Sequence, residues 1–166
     1  MIRTIDDLRT RLGEIRGADR SSGGPRVALV STLGALHDGH VDLVHEAREH
    51  ADIVVVSTFV NPLRFRTADE TAAYPRSPEA DERVLDDLGV DVVFAPAAGE
   101  FLPAGTATTR VSAGDVGLRY EGRVRPFYFD GVLTVEAKLF NLMRPDVAVY
   151  GERDLLVAES LRQGLW

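Results

Sequence analysis

His37 and His40, two histidines three residues apart, are the side chains of this chain best placed to do chemistry. They lie in His37-Asp38-Gly39-His40, after the apolar run Val27-Ala28-Leu29-Val30 and before Val41-Asp42-Leu43-Val44. At the start of a helix, two such rings lie near the same face, one turn apart. A strand that passes through a Gly-containing turn into a helix is an anion site. The first helical N–H groups are unpaired, and the N-terminus carries about half a positive charge. Both imidazoles could aim at one phosphate chain, and Gly39, lacking Cβ, would let a base or ribose approach the backbone. A solvated surface turn would use the same four residues. The buried strand before them and the amphipathic helix after them favour nucleotide binding. A zinc site fits less well, because the chain has no Cys and no nearby His-plus-carboxylate cluster for tetrahedral coordination.

The elements that must hold these residues alternate between strand and helix. Thr4 and Asp7 mark a helix start, with Leu8, Leu12 and Ile15 at helical spacing. A flexible connector, Ser21-Ser22-Gly23-Gly24-Pro25, leads to a strand over 26–31 and a helix over 40–51. The β-branched run 52–59 is a second strand, followed by a polar loop over 61–75. Pro78 opens a helix with Ala80, Val84, Leu85 and Leu88 inward, and Gly89 stops it. Residues 90–96 form a third strand, 108–112 a short strand to which an edge position is open, and 114–120 a short helix. A strong helix over 130–143 ends at Arg144-Pro145, a last strand covers 146–150, and a final helix covers 154–163. This pattern predicts a single α/β domain over 1–166, with a parallel five-stranded sheet and helices on both faces. Ligands on such sheets sit at the C-terminal strand ends. There the polar segments 32–40, 59–65 and 151–154 follow strands.

Composition narrows the class. At 166 residues, with 45% hydrophobic and 27% charged, the chain can bury a core as one soluble domain. A net charge of −7 argues against a nucleic-acid surface but leaves room for a local phosphate cleft. Without Cys there are no disulfides, thiol nucleophiles or zinc ribbons. No apolar run approaches membrane-spanning length, and the first residues contain no signal-peptide core, so a cytoplasmic location is expected.

Several stretches together resemble one family. Thr32-Leu33-Gly34-Ala35-Leu36-His37-Asp38-Gly39-His40 resembles the nucleotide-binding signature of pantothenate synthetases (pantoate–β-alanine ligases). Phe59-Val60-Asn61-Pro62 with Phe65, then Tyr74-Pro75-Arg76, Glu121-Gly122-Arg123 and Gly131-Val132, continue the likeness in order. Lys138-Leu139-Phe140, Arg144-Pro145-Asp146 and Gly151-Glu152-Arg153-Asp154 complete it. The resemblance implies a Rossmann-like nucleotidyltransferase domain, ATP and Mg²⁺, a homodimer, and ligation in two steps. A carboxylate attacks the α-phosphorus to give an acyl-adenylate, and an amine then displaces AMP. It implies that His37 and His40 contact ATP phosphates, with Arg153 where the family has its catalytic Lys. Leu33, Gly34 and Gly39 would lie along the nucleotide, Gly151 and Asp154 at the ribose, and Asn61, Arg64 and Tyr128 beside the acid. Adenylation needs charge stabilisation more than a base, which helix dipole, imidazole, cation and Mg²⁺ can supply.

The departures cluster around the acid. Ser31 and Leu33 stand where the family has Pro and Met, and Tyr128 stands where it has His. Arg64 replaces a Gln that grips the pantoate hydroxyl, turning a donor–acceptor amide into a donor-only cation. Leu156 and Val157 replace paired Gln residues, and Arg153 offers a planar fork in place of a compact ammonium. With the sequence ending at Trp166, the expectation is a short member without the family's C-terminal domain, which closes over ATP. Each departure also has a plain reading. Arg64 would be a solvated loop cation beside Arg66, Leu156 and Val157 core residues, Tyr128 a packing aromatic, and His45 and His50 solvated. Together they point to an ATP-dependent carboxylate–amine ligase acting on pantoate or a related acid. Nucleotidyl transfer without amide formation, and a non-catalytic nucleotide-binding remnant, are the alternatives.

Overall fold

A computed structural model describes residues 1–17, 24–103, 105 and 107–164. Residues 21–23 of the expected connector, and the final Trp166, lie outside the described residues. Thr4 caps the first helix, α1 (Ile5–Arg16), its hydroxyl accepting from the Asp7 amide at 3.1 Å. The apolar run that precedes the histidines is β1 (Val27–Thr32), and α2 (Asp38–His50) follows it. Then come β2 (Ile53–Thr58), a 3₁₀ turn at Pro62–Arg64, α3 (Ala68–Ala73) and α4 (Pro78–Asp87). Next are β3 (Val92–Phe94), α5 (Ala98–Phe101), a 3₁₀ turn at Gly114–Leu118 and α6 (Glu121–Val124). The described chain closes with α7 (Tyr128–Met143), β4 (Val147–Val149), a 3₁₀ turn at Glu152–Asp154 and α8 (Leu155–Gly164).

The sheet is parallel, in the order β3-β2-β1-β4. β1 is central and apolar on both sides, as a strand covered by helices on two faces must be. Alternate residues divide between two cores. Val27, Leu29 and Val55 face α1 and α7, where Leu8, Leu12, Val135 and Leu139 meet them. Ala28, Val30, Val54 and Val56 face α2 and α4, against Val44, Ala47 and Leu85.

The sheet has four strands among the described residues, not five. Residues 108–112 form no strand. Val111 instead packs on the cluster between α7 and α8, and its amide donates to the Thr134 hydroxyl at 3.0 Å. The outer edge of β3 is closed by the N-terminus. Ile2 bridges Phe94, donating to the Val93 carbonyl and accepting from the Ala95 amide. Two further elements differ from expectation. The loop 61–75 contains a 3₁₀ turn and α3, and on α4 the inward residue is Asp81, with Ala80 exposed.

Candidate active site

The signature segment crosses from β1 to α2 through a backbone held on three sides. The Thr32 hydroxyl donates to the Ser57 carbonyl of β2 at 3.0 Å and accepts from the Gly34 amide at 3.2 Å. Gly34 and Ala35 then take left-handed conformations, φ 79° and 51°. A turn of that shape points successive N–H groups one way, and the buried Asp81 carboxylate receives two of them. It accepts from the Ala35 and Leu36 amides, both at 2.9 Å, and from the Ser77 hydroxyl at 3.0 Å. Gly34 is required twice over, because a Cβ there would stand 3.0 Å from the Asp81 carboxylate in a conformation L-residues avoid. Asp81 is a site residue the sequence reading missed. Its signal was a carboxylate on the same helical stripe as Val84, Leu85 and Leu88. Asp81→Ala strands two amides and should lower unfolding free energy by about 1–3 kcal/mol in urea titrations. An unchanged midpoint would show that the turn holds its shape without the carboxylate.

The two histidines cap α2 reciprocally. His37 Nδ1 accepts from the Gly39 amide at 3.2 Å, and His40 Nδ1 accepts from the His37 amide at 3.3 Å. The ring centroids are 4.0 Å apart. An Nδ1 that accepts leaves the ring proton on Nε2, so both rings are neutral donors whose Nε2–H groups are directed away from the helix backbone. What lies over Gly39 is the His37 ring, 3.1 Å from where a Cβ would be. Burial, and then the neighbouring His37, hold His40 below the usual histidine range, while Asp81 and Asp154 oppose this. The neutral form is therefore the one the fold selects. Because the folded value lies below the unfolded value of 6.5, the stabilising contribution is complete above 6.5. It is lost as pH falls through the depressed folded value. Nitrogen NMR of the rings should show His40 as the Nε2–H tautomer at pH 7, titrating below 6.5. Titration above 6.5 would contradict the capped arrangement.

The other candidate residues gather around this pair. Asp154 is half-buried on the 3₁₀ turn after β4, and its charge is felt by His40, Tyr128, Glu136 and Tyr150. Gly151 is the N-cap of that turn, its carbonyl accepting from the Asp154 amide at 2.9 Å, and Arg153 is exposed on it. Leu33, Gly34 and Ala35 line an open cavity of about 290 Å³ together with Phe59, Val60 and Arg76. The two histidines are not among its lining residues.

Asn61 is buried with both ends of its amide engaged. Oδ1 accepts from the Leu63 amide at 2.9 Å, and Nδ2 donates to the Gly131 carbonyl at 3.1 Å. This seats the 3₁₀ turn on the first turn of α7. Arg64 is not a solvated loop cation. Its guanidinium lies 5.2 Å from the centre of the Tyr128 ring, and Arg125 lies 5.3 Å from the same ring. Burial raises the Tyr128 hydroxyl above the usual phenol range, and Arg64 opposes it. Val157 is buried with Phe129, Val132 and Leu161, and Leu156 packs at its edge, as core residues would. His45 and His50 are exposed on α2, His50 pairing with Glu46 at 2.9 Å.

The chain matches the family model for pantoate–β-alanine ligase over residues 1–163. It belongs to that family. A pantothenate synthetase of Leifsonia xyli subsp. xyli is 55% identical over 139 residues, covering 82% of this chain and 48% of the relative. One from Acidothermus cellulolyticus is 54% identical over 143 residues, covering 86% and 46%. Among solved structures, the pantothenate synthetase of Thermus thermophilus superposes with a TM-score of 0.83 at 40% identity. That alignment covers 98% of this chain and 56% of the other. The pantoate–β-alanine ligase of Francisella tularensis, complexed with β-γ ATP and β-alanine, gives 0.86 at 32% identity, covering 98% and 61%. This pantoate–β-alanine ligase family chain thus spans about half the length of the curated relatives it matches. Its nucleotidyltransferase fold agrees with theirs.

Proposed function

We propose that this chain carries the ATP site and the acid site of an ATP-dependent carboxylate–amine ligase, joining pantoate or a related acid to β-alanine or a related amine. The observation that carries the reading is the reciprocal cap of His37 and His40, in a chain of this family. It directs two Nε2–H donors from the positive end of α2, and the charge of Asp154, on the 3₁₀ turn after β4, acts on His40.

In this reading Leu33, Gly34 and Gly39 run along the nucleotide, and Gly151 and Asp154 hold the ribose. His37, His40 and the exposed Arg153 stabilise charge on the phosphates. Donors fixed before reaction, where charge develops, lower the barrier without reorganising. The acid sits against Asn61, Arg64 and Tyr128. One carboxylate oxygen attacks the α-phosphorus, the bond to the bridging oxygen breaks, and pyrophosphate leaves. The amine nitrogen then attacks the acyl carbon, AMP leaves with the carboxylate oxygen it received, and the nitrogen loses a proton. Among the described residues no group of three or more His, Asp or Glu is placed to hold a metal. Mg²⁺ would therefore enter with the triphosphate, as it does where it keeps phosphate and water ligands.

The same reading includes a homodimer and a cytoplasmic location. Leu118, Tyr120, Val124 and Phe127 are all more than three-fifths exposed along one segment, the kind of apolar surface a second copy would cover. A monomer by sedimentation would count against the dimer. No helix among the described residues is long and apolar enough to cross a membrane. Recovery outside the cytoplasmic fraction would count against the location.

The test is acid-dependent pyrophosphate release from MgATP, with pantoate and a panel of hydroxy, amino and dicarboxylic acids. Release with pantoate, followed by amide formation on adding β-alanine, is the expected result. A stable nucleotidyl product without amide would mark a transferase instead. ATP binding with no release from any acid would leave a binding module.

A further inference from the structure

The middle of α7 brings a carboxyl against the sheet that the reading above does not use. Glu136 is buried, and its two oxygens accept from different strands. Oε1 accepts from the Ser31 hydroxyl of β1 at 2.7 Å, and Oε2 accepts from the Tyr150 hydroxyl at 2.8 Å, just past β4. Ser31 immediately precedes the signature segment and Tyr150 immediately precedes Gly151, so the carboxyl lies between the roots of both candidate nucleotide-binding segments. Those roots are the C-terminal strand ends, where sheets of this type receive ligands. Arg64 and Asp154 are close enough for their charges to act on Glu136. No Lys, Arg or His among the described residues forms an ion pair with it.

A second observation falls at the same place. Ser57 of β2 is in register with Ser31, so their side chains share the face that meets α7. The Ser57 hydroxyl is fully buried and has no hydrogen-bond partner among the described residues. A buried hydroxyl with nothing to bond is costly, and such groups warrant a functional explanation. One face of the β1–β2–β4 ends thus carries a carboxyl, two hydroxyls bonded to it and a third hydroxyl unmatched.

We propose that Glu136, with Ser31, Tyr150 and Ser57, is the specificity-determining wall of the acid site and receives a hydroxyl of the acid substrate. The proposal rests on the ligase reading and adds to it a specificity-determining residue. Arg64 is donor-only and Val157 apolar, so the clamps of that pocket can bind a carboxylate but cannot accept from a hydroxyl. Glu136 supplies the missing acceptor. A neutral hydroxyl suits it better than an ammonium, because burying a cation adds a desolvation cost.

The experiment compares kcat/KM for pyrophosphate release by the 166-residue chain and its Glu136→Val variant. The acids are pantoate, the two analogues each lacking one hydroxyl, and the analogue with an amino group in place of a hydroxyl. The wild type should prefer pantoate over one deoxy analogue by about 10–100-fold. Glu136→Val should abolish that preference by losing pantoate while keeping the deoxy acid within about threefold. Glu136→Gln, which keeps an amide oxygen, should fall between. If Glu136→Val does not fold by its thermal transition, Ser31→Ala and Tyr150→Phe carry the same comparison, each removing only a hydroxyl. An unchanged preference in the variants overturns the proposal and leaves the ligase reading standing. So does a wild type that prefers the amino analogue. Absence of release with every acid overturns the ligase reading, and the proposal with it.

Discussion

Replacing His40 by alanine is expected to lower acid-dependent pyrophosphate release by about 10²–10³-fold, the usual effect of removing one preorganised donor from a developing anion. Two losses combine. The Nε2–H aimed outward disappears, and so does Nδ1, which accepts from the His37 amide and completes the cap. His37 then loses its ring neighbour at 4.0 Å and keeps only the Gly39 amide to orient its ring. His40→Asn separates the two effects, because an amide oxygen at this position can still accept from the His37 amide. It should restore the helix stability lost in His40→Ala and little of the rate. The check is the rate at saturating ATP alongside thermal unfolding of the three proteins. If His40→Ala releases pyrophosphate at the wild-type rate, the histidine pair is a cap and nothing more.

Gly131→Ala should be damaging for a single added methyl, and its damage falls on the acid site. A Cβ at Gly131 would lie 2.3 Å from the Leu63 carbonyl oxygen and 2.8 Å from its carbon. Both are backbone atoms, so neither can swing aside. The 3₁₀ turn that carries Asn61 and Arg64 must lift off α7, stretching the Asn61-to-Gly131 hydrogen bond of 3.1 Å. Overpacking of this kind costs about 1–3 kcal/mol, occasionally more. At about 2 kcal/mol the transition should fall by roughly 4–8 °C. Acid KM should rise while ATP binding is retained, because the signature segment is anchored separately through Thr32 and Asp81. Gly99→Ala is the control, since a Cβ there meets nothing within 4 Å. A Gly131→Ala protein with wild-type melting and acid KM would show that the close contact does not position the acid site.

The order of helices and strands was legible because the periodicities are strong. The Thr4 cap, the Pro78 start and the stop before Pro145 are local signals, and each element stands where its signal lies. The stretch 108–112 forms no strand because Val111 packs on the cluster between α7 and α8 and its amide bonds the Thr134 hydroxyl, contacts with residues distant in sequence that leave no local signal. Residue types and spacing located the histidine pair, but not its mutual capping or the Nε2–H tautomer, which depend on backbone geometry. Asp81 and Glu136 escaped notice for a shared reason. Each is a carboxylate on the inward stripe of an amphipathic helix, and only the fold shows which amides or hydroxyls lie opposite. Arg64 over Tyr128 is likewise a contact between residues far apart in sequence, with no local trace.

The central claim is that an acid carboxylate attacks the α-phosphorus of ATP at this site. The most direct measurement follows oxygen. The chain is supplied with MgATP, β-alanine and pantoate labelled with ¹⁸O in its carboxylate, and the AMP is analysed by mass spectrometry. One ¹⁸O in the AMP phosphate is the predicted result, because the oxygen that attacks phosphorus leaves with AMP when the amine takes the acyl group. AMP free of label, or a nucleotidyl product with no amide formed, would contradict the account.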